Sequence, residues 1–235
     1  MRVKIVIIVL CVILTVSFVF AQDSSDVRMV SRMYDYWHAT NGVDVQGDYA
    51  YVASGLSGLQ VVDISNRDEP EVVGAWNTRL SPGIVAVSGD IACVALWDIS
   101  SIGVAAILDI SNPTQPEVVG AIDSIGLNEM EGSVDAMWIE GNALFVTSSY
   151  RVYIFDLADP TEPRQMSYLG EMEDCYSVQG DYLYTSTRGN GFREYFMVIF
   201  DISDLANPVE TGRCDIEGHP YVIDVHGDYV YASSH

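Results

Sequence analysis

The sequence predicts an all-β chain, a β-propeller of four-stranded antiparallel blades, and three observations carry that prediction. A module of about 45 residues recurs in tandem along the chain, a period that falls in the propeller range. Each copy holds four short runs rich in β-branched and aromatic residues, divided by glycine- and proline-bearing turns. No helical periodicity interrupts them after the first 22 residues.

The chain opens differently from the rest. Arg2 and Lys4 make a basic start, and an apolar run covers residues 5–20. Val19, Phe20 and Ala21 close it as a cleavage box, so residues 1–21 read as a secretory signal peptide. The run is short for a membrane span, which needs about 20 apolar residues. Residues 22–235 are then the propeller domain. Residues 27–38 (VRMVSRMYDYWH) resemble the last strand of a module, a closing strand without its predecessors.

Full modules cover about residues 43–78, 85–123, 137–172 and 176–216, and a partial one covers 223–235. In the first, strand a is GVDVQ and strand b is YAYVAS. A Gly-Asp or Gly-Asn pair joins them in every copy, from Gly47-Asp48 to Gly227-Asp228, which reads as a tight hairpin. Strand c is LQVVDIS, and its aspartate recurs as Asp63, Asp109, Asp156 and Asp201, at spacings of 46, 47 and 45 residues. These aspartates read as caps of the turn that follows. That turn carries prolines between strands, where no ladder donor is lost, and strand d is EVVGAW. Apolar residues on both faces of strands a to c fit sheets packed between neighbouring sheets.

The pattern GDxxYxA…LxxxDISNPxxPxxVG, carried by VDVQGDYAYVASGLSGLQVVDISNRDEPEVVG and its copies, resembles the LVIVD-repeat family of secreted β-propellers. The resemblance covers essentially all of residues 27–235. It implies the fold and an extracellular or surface setting, and it implies no activity. Closure is the awkward point. The last module stops after strand b, so a ring would lack one strand c and leave strands b and d with unpaired edges. The expectation is an open arc or part of a longer propeller.

Composition narrows the partners. Eleven Lys and Arg stand against 33 Asp and Glu, a net charge of −22, and Lys4 is the only lysine. Such a surface repels phosphate backbones and anionic lipid, which excludes nucleic acid as a partner. The expected partner is an extracellular protein or glycan, with no transmembrane segment once the signal is cleaved. Of the four cysteines, Cys11 lies in the leader. Cys93, Cys175 and Cys214 remain, an odd count at unmatched repeat positions, so no disulfide framework is expected. Cys93, within IACVAL, reads as a small buried residue.

Length varies only in the b–c and d–a connections, which a four-stranded meander places on one face. Variable loops on a rigid scaffold are where binding usually resides. Candidate ligand-binding residues on that face are Trp97 and Asp98 in the second module and Arg188 and Arg193 in the fourth. His38 and His219 precede the first and last modules, and Asp44 and Asp224 match in position. Two imidazoles with two carboxylates suit a transition metal or acid–base work. The simpler reading, which is preferred, gives the aspartates backbone N–H partners and packs the histidines in loops. The acidic loops suit Ca²⁺ in charge alone, since no D-x-D-x-D-G run occurs. No cofactor, metal ligand set or catalytic residue is expected. G-x-S-x-G, HExxH and phosphate-loop patterns do not occur. The sequence therefore favours a non-enzymatic binding scaffold, secreted, periplasmic or on the cell surface. The alternative is a hydrolase or metal-dependent enzyme centred at the channel mouth.

Overall fold

A computed structural model of the protein describes residues 4–8, 39–78, 80–98, 101–122, 134–148, 150–189 and 194–234. The expected closing strand at 27–38, His38 and Arg193 lie outside the described residues. The described chain is all strand apart from one 3₁₀ turn at Gly55–Ser57. β1 is Lys4–Ile8. The first sheet is β2 (Gly42–Gln46), β3 (Tyr49–Ala53), β4 (Leu59–Asp63) and β5 (Glu71–Trp76). The second is β6 (Ser81–Ser88), β7 (Ile91–Asp98), β8 (Ser101–Asp109) and β9 (Glu117–Ile122). The third is β10 (Ala136–Glu140), β11 (Ala143–Ser148), β12 (Arg151–Asp156) and β13 (Arg164–Leu169). The fourth is β14 (Met172–Gln179), β15 (Tyr182–Arg188), β16 (Tyr195–Asp201) and β17 (Val209–Ile216). β18 (Pro220–His226) and β19 (Tyr229–Ser234) complete the series. Each four-stranded sheet is an antiparallel meander, the blade that the repeat predicts.

The turns show why the modules are alike. The glycine of every a–b turn has φ between 57° and 59°, the left-handed region where a side chain is costly. The residue after it offers its carbonyl to the c–d turn: Ile64, Ile110, Leu157 and Ile202 donate to Asp48, Asp90, Asn142 and Asp181 at 2.7–2.9 Å. One aspartate oxygen at each strand-c end accepts from the backbone two residues on, at Ser65, Ser111, Ala158 and Ser203. Strands c and d then slip by one residue at the same place in all four sheets. That bulge sharpens the local twist of each blade.

The core lies between sheets rather than within one. Tyr51, Leu59 and Val61 of the first sheet pack on Val85, Val94 and Leu108 of the second. Ile107 and Cys93 meet Leu144 and Phe155 across the next seam, and Phe145 and Ile154 meet Leu183 and Phe200 across the third. Tyr184 and Met197 meet Ile223 and Val230 across the last. First strands lie side by side, β2 with β6, β6 with β10 and β14 with β18, so the sheets radiate about a shared centre. The described blades have the architecture of a β-propeller.

Three features depart from expectation. β7 and β8 run on into the expected b–c loop and pair Asp98 with Ser101, which carries Trp97 and Asp98 into a strand. β6, β14 and β18 exceed the five-residue strand a of the first sheet, and Pro82 and Pro220 sit in them beside register shifts, where a missing donor is tolerated. The incomplete last sheet has an added strand, since β1 pairs in parallel with β19 from Lys4↔Tyr229 to Ile8↔Ser233. It occupies the edge that strand c takes, antiparallel, in the other modules.

Candidate functional site

The two ends of the blades differ in construction. The a–b and c–d turns are stitched together at one end, as above. At the other, Met172 N donates to the Tyr150 carbonyl (2.9 Å), joining the b–c turn of the third blade to the d–a connection that follows it. Thr187 Oγ1 donates to the Glu171 carbonyl (2.6 Å), tying that connection to the end of β15. A cavity of about 510 Å³ opens at this junction, lined by Tyr150, Glu171, Met172, Arg188, Gly189 and His219. Its walls thus come from the b–c connections of the third and fourth blades and the d–a connections after each.

Backbone strain collects at the same place. Tyr150 (φ 62°) and Glu171 (φ 61°) are the non-glycine residues with left-handed backbone among the described residues, and both line the cavity. Such conformations cost about 1–3 kcal/mol each and concentrate at functional sites. Gly189 has a different constraint. A Cβ there would press on Glu194 and Phe196 at 2.8 Å, and Gly189 N donates to the Glu194 carbonyl at 2.8 Å. The absent side chain lets the end of β15 lie close to Glu194 and Phe196 beside the opening.

Two sequence candidates, Arg188 and His219, come together here. Arg188 is exposed at the end of β15 and forms no ion pair among the described residues. The His219 ring meets Tyr195 edge-on at 5.0 Å and lies 4.9 Å from Tyr221, so it is held in an aromatic cluster. Tyr150 and Tyr221 are each 59% exposed beside it. Sequence reasoning missed Tyr150, because nothing in SSYRV marks a left-handed residue.

The aspartate pair does not join this site. Asp44 accepts from Val45 N and, through its second oxygen, from Val87 N in the next blade, both at 2.8 Å. It fastens two blades together. Asp224 accepts from Val225 N at 2.9 Å. Both hold strand a in shape, the simpler of the two readings. The strand-c aspartates are likewise turn caps. Hydrogen bonds from Ser65, Ser111 and Ser203 hold Asp63, Asp109 and Asp201 below the usual carboxylate range, and the Ala158 N–H with Arg164 does so for Asp156. Burial pushes the Cys93 thiol up to about 12. Among the described residues Cys93 and Cys214 are free thiols, and no three His, Cys, Asp or Glu side chains converge in a metal-holding group.

A second, smaller hollow of about 340 Å³ lies at the opposite end, between the turns of the third and fourth blades. Gly141, Asn142, Gly180, Asp181 and Ser203 line it, and no cation does. It lies between the fixed turns of these two blades.

Comparisons with known proteins agree with this architecture. A comparison with curated protein sequences yields no match. A solved protein of unknown function from Desulfotomaculum acetoxidans DSM 771 superposes with a TM-score of 0.65 at 12% identity, over 87% of this chain and 65% of that one. Kuenenia stuttgartiensis hydrazine synthase gives 0.54 at 15% identity, over 82% of this chain and 53% of that one. The computationally designed Ika8 protein gives 0.51 at 8% identity, over 83% and 67%. The chain therefore spans between about half and two-thirds of these structures, and identities this low show shared fold alone. The model of the LVIVD repeat matches residues 39–78, 83–124 and 175–216, more than half of the sequence, and the chain belongs to the LVIVD-repeat family.

Proposed function

We propose that this protein is a non-enzymatic binding scaffold that holds an extracellular protein or glycan partner on its b–c/d–a face. One observation carries the reading: connections from consecutive blades build a single cavity that gathers the two left-handed non-glycine residues among the described ones, a guanidinium and the imidazole of an aromatic cluster. Rigid blades position these loops, and strained loop residues around an opening fit recognition. The basic start and apolar run of residues 1–21 support export to the periplasm, cell surface or medium, and the pairing of β1 with β19 then belongs to the chain before cleavage. Among the described residues no helix is long and apolar enough to cross a membrane. The enzymatic alternative gains nothing from Asp44, whose two oxygens already hold backbone N–H groups.

The test is a surface-plasmon-resonance screen of the immobilised chain against glycan and secreted-protein panels. Tyr150→Asn keeps a residue that tolerates the left-handed backbone but removes the ring. Together with His219→Ala it weakens the bound partner at least about tenfold, a loss of roughly 1.4 kcal/mol. Asp48→Asn, on the opposite face, leaves binding unchanged, since Asn142 already fills that turn position in the third module. A partner sensitive to Asp48 and indifferent to the cavity would overturn the assignment of the face.

A further inference from the structure

Resting on the loop-face reading above, we propose that the cavity beside Arg188 takes a carboxylate-bearing sugar, a pyranose unit of an acidic glycan. The protein carries 33 acidic residues against 11 basic ones. Arg164 pairs with Asp156 and Arg213 with Glu210, at 2.8 Å each. Arg188 makes no such pair among the described residues, although it lines a cavity with Glu171. Its fork of donors matches a carboxylate in bidentate geometry.

Glu171 decides what else the ligand carries. An ionised carboxylate only accepts hydrogen bonds, so a ligand group beside it must donate. A second anion there would be repelled. A sugar acid meets both demands on one ring, with a carboxylate for Arg188 and hydroxyls for Glu171. The Tyr150 ring, 59% exposed, supplies a flat aromatic surface for the C–H face of the pyranose, and the His219 imidazole lines the same cavity. The volume, about 510 Å³, lies within the usual range for small-ligand sites. An acidic peptide fits less well. It brings several carboxylates against Glu171 and into the field of a chain with net charge −22.

Calorimetric titration of the full chain with trigalacturonate and with neutral galactotriose tests the assignment. Trigalacturonate binds saturably, and galactotriose binds at least about tenfold more weakly, since the ion-paired contact is missing. Arg188→Ala loses at least about tenfold for trigalacturonate, and Arg188→Lys recovers part of that loss because it restores charge without the fork. Glu171→Gln weakens both sugars. Circular dichroism of each variant confirms that the strands persist. Absence of trigalacturonate binding, equal binding of the two sugars, or an unchanged Arg188→Ala variant overturns the ligand class. If galactotriose or an Asp/Glu peptide binds instead and Tyr150→Asn removes it, the sugar-acid assignment fails and the loop face stands. If the bound probe ignores both Arg188 and Tyr150, both fail.

Discussion

Gly74 and Gly120 show how one residue type joins neighbouring blades. Both lie in strand d, opposite Val61 and Ile107. A Cβ on Gly74 would overlap the Pro113 carbonyl of the next blade's c–d turn, and one on Gly120 would overlap the Pro160 carbonyl. The VG of one module is thus the docking point for the NP or DP turn of the next. In the third blade the position is Ser167, whose hydroxyl donates to the Leu205 carbonyl at 2.6 Å, so a hydrogen bond replaces close approach. Gly212 holds the same position in the fourth blade, but among the described residues a Cβ there meets only the Ile199 side chain, at 3.4 Å. Gly74→Ala and Gly120→Ala therefore destabilise by about 1–3 kcal/mol, the usual cost of overpacking. Gly212→Ala is neutral or stabilising by about 0.5 kcal/mol through lower chain entropy. Urea unfolding midpoints of the three variants check this, and equal losses at all three would refute the docking role. The glycines were legible in the sequence as a recurring VG. Their reason was not, because the atom they make room for is about 40 residues away in the chain and belongs to another sheet.

The c–d turn is the element that best kept its sequence-based assignment. Asp63, Asp109, Asp156 and Asp201 cap it as DIS and DLA predict. Each carboxyl is held below its unfolded value by the hydrogen bonds of its own turn. A depressed folded-state pKa contributes stability above the unfolded value, and that contribution is lost as pH falls through the folded one. The unfolded value is near 3.8, so the loss begins below about pH 4. Asp109→Asn with Asp201→Asn keeps a capping oxygen but removes the titration. Its unfolding midpoint falls less than that of the wild type between about pH 5 and pH 3. An equal fall in both proteins would detach the turns from acid sensitivity. The b–c connections were harder to read. Trp97 and Asp98 read as loop because the second module is longer there, yet pairing of Asp98 with Ser101 extends the hairpin. Strand length depends on a partner strand, which local composition does not reveal. At the third seam Trp138 stands where the first module has Asp44, and it stacks on Tyr176 at 4.9 Å, so aromatic contact replaces the carboxylate link.

Across the whole molecule, the two end blades differ from the interior ones. Val43 and Val45 occupy the positions of Val85 and Val87 in the next module, yet Val43 is 60% exposed where Val85 is 5%. Tyr231 matches Tyr51 and is 38% exposed where Tyr51 is 2%. Gln46 reaches the Gly89 carbonyl at 2.7 Å and Gln179 the Gly227 carbonyl at 3.2 Å, both from one blade to the following one. Asp44 fastens to Val87, whereas Asp224 bonds only Val225 among the described residues. Among the described residues, the outer face of the first sheet and that of the last are thus more exposed than the same faces inside the series. Val85→Ser therefore costs about 2–4 kcal/mol, from lost burial and an added hydroxyl in the seam. Val43→Ser, the same change in the same repeat position, stays within about 0.5 kcal/mol. Thermal unfolding of the pair checks this, and equal losses would show that the first blade's outer face is covered in solution.

The sequence by itself determined the blade, its strand count, its turns and its family, because period, alternation and Gly-Asp pairs are local patterns that one module displays in full. It also located the variable face, since loop length can be read along the chain. Only tertiary structure decided which candidates meet. Arg188 and His219 share a cavity, while Asp44 and Asp224 serve strand a. Tyr150 joins the site through a left-handed backbone held by a bond to Met172, a contact between connections that no single module contains. Neighbouring blades are set by packing between distant segments, and so is the chemistry at their seams.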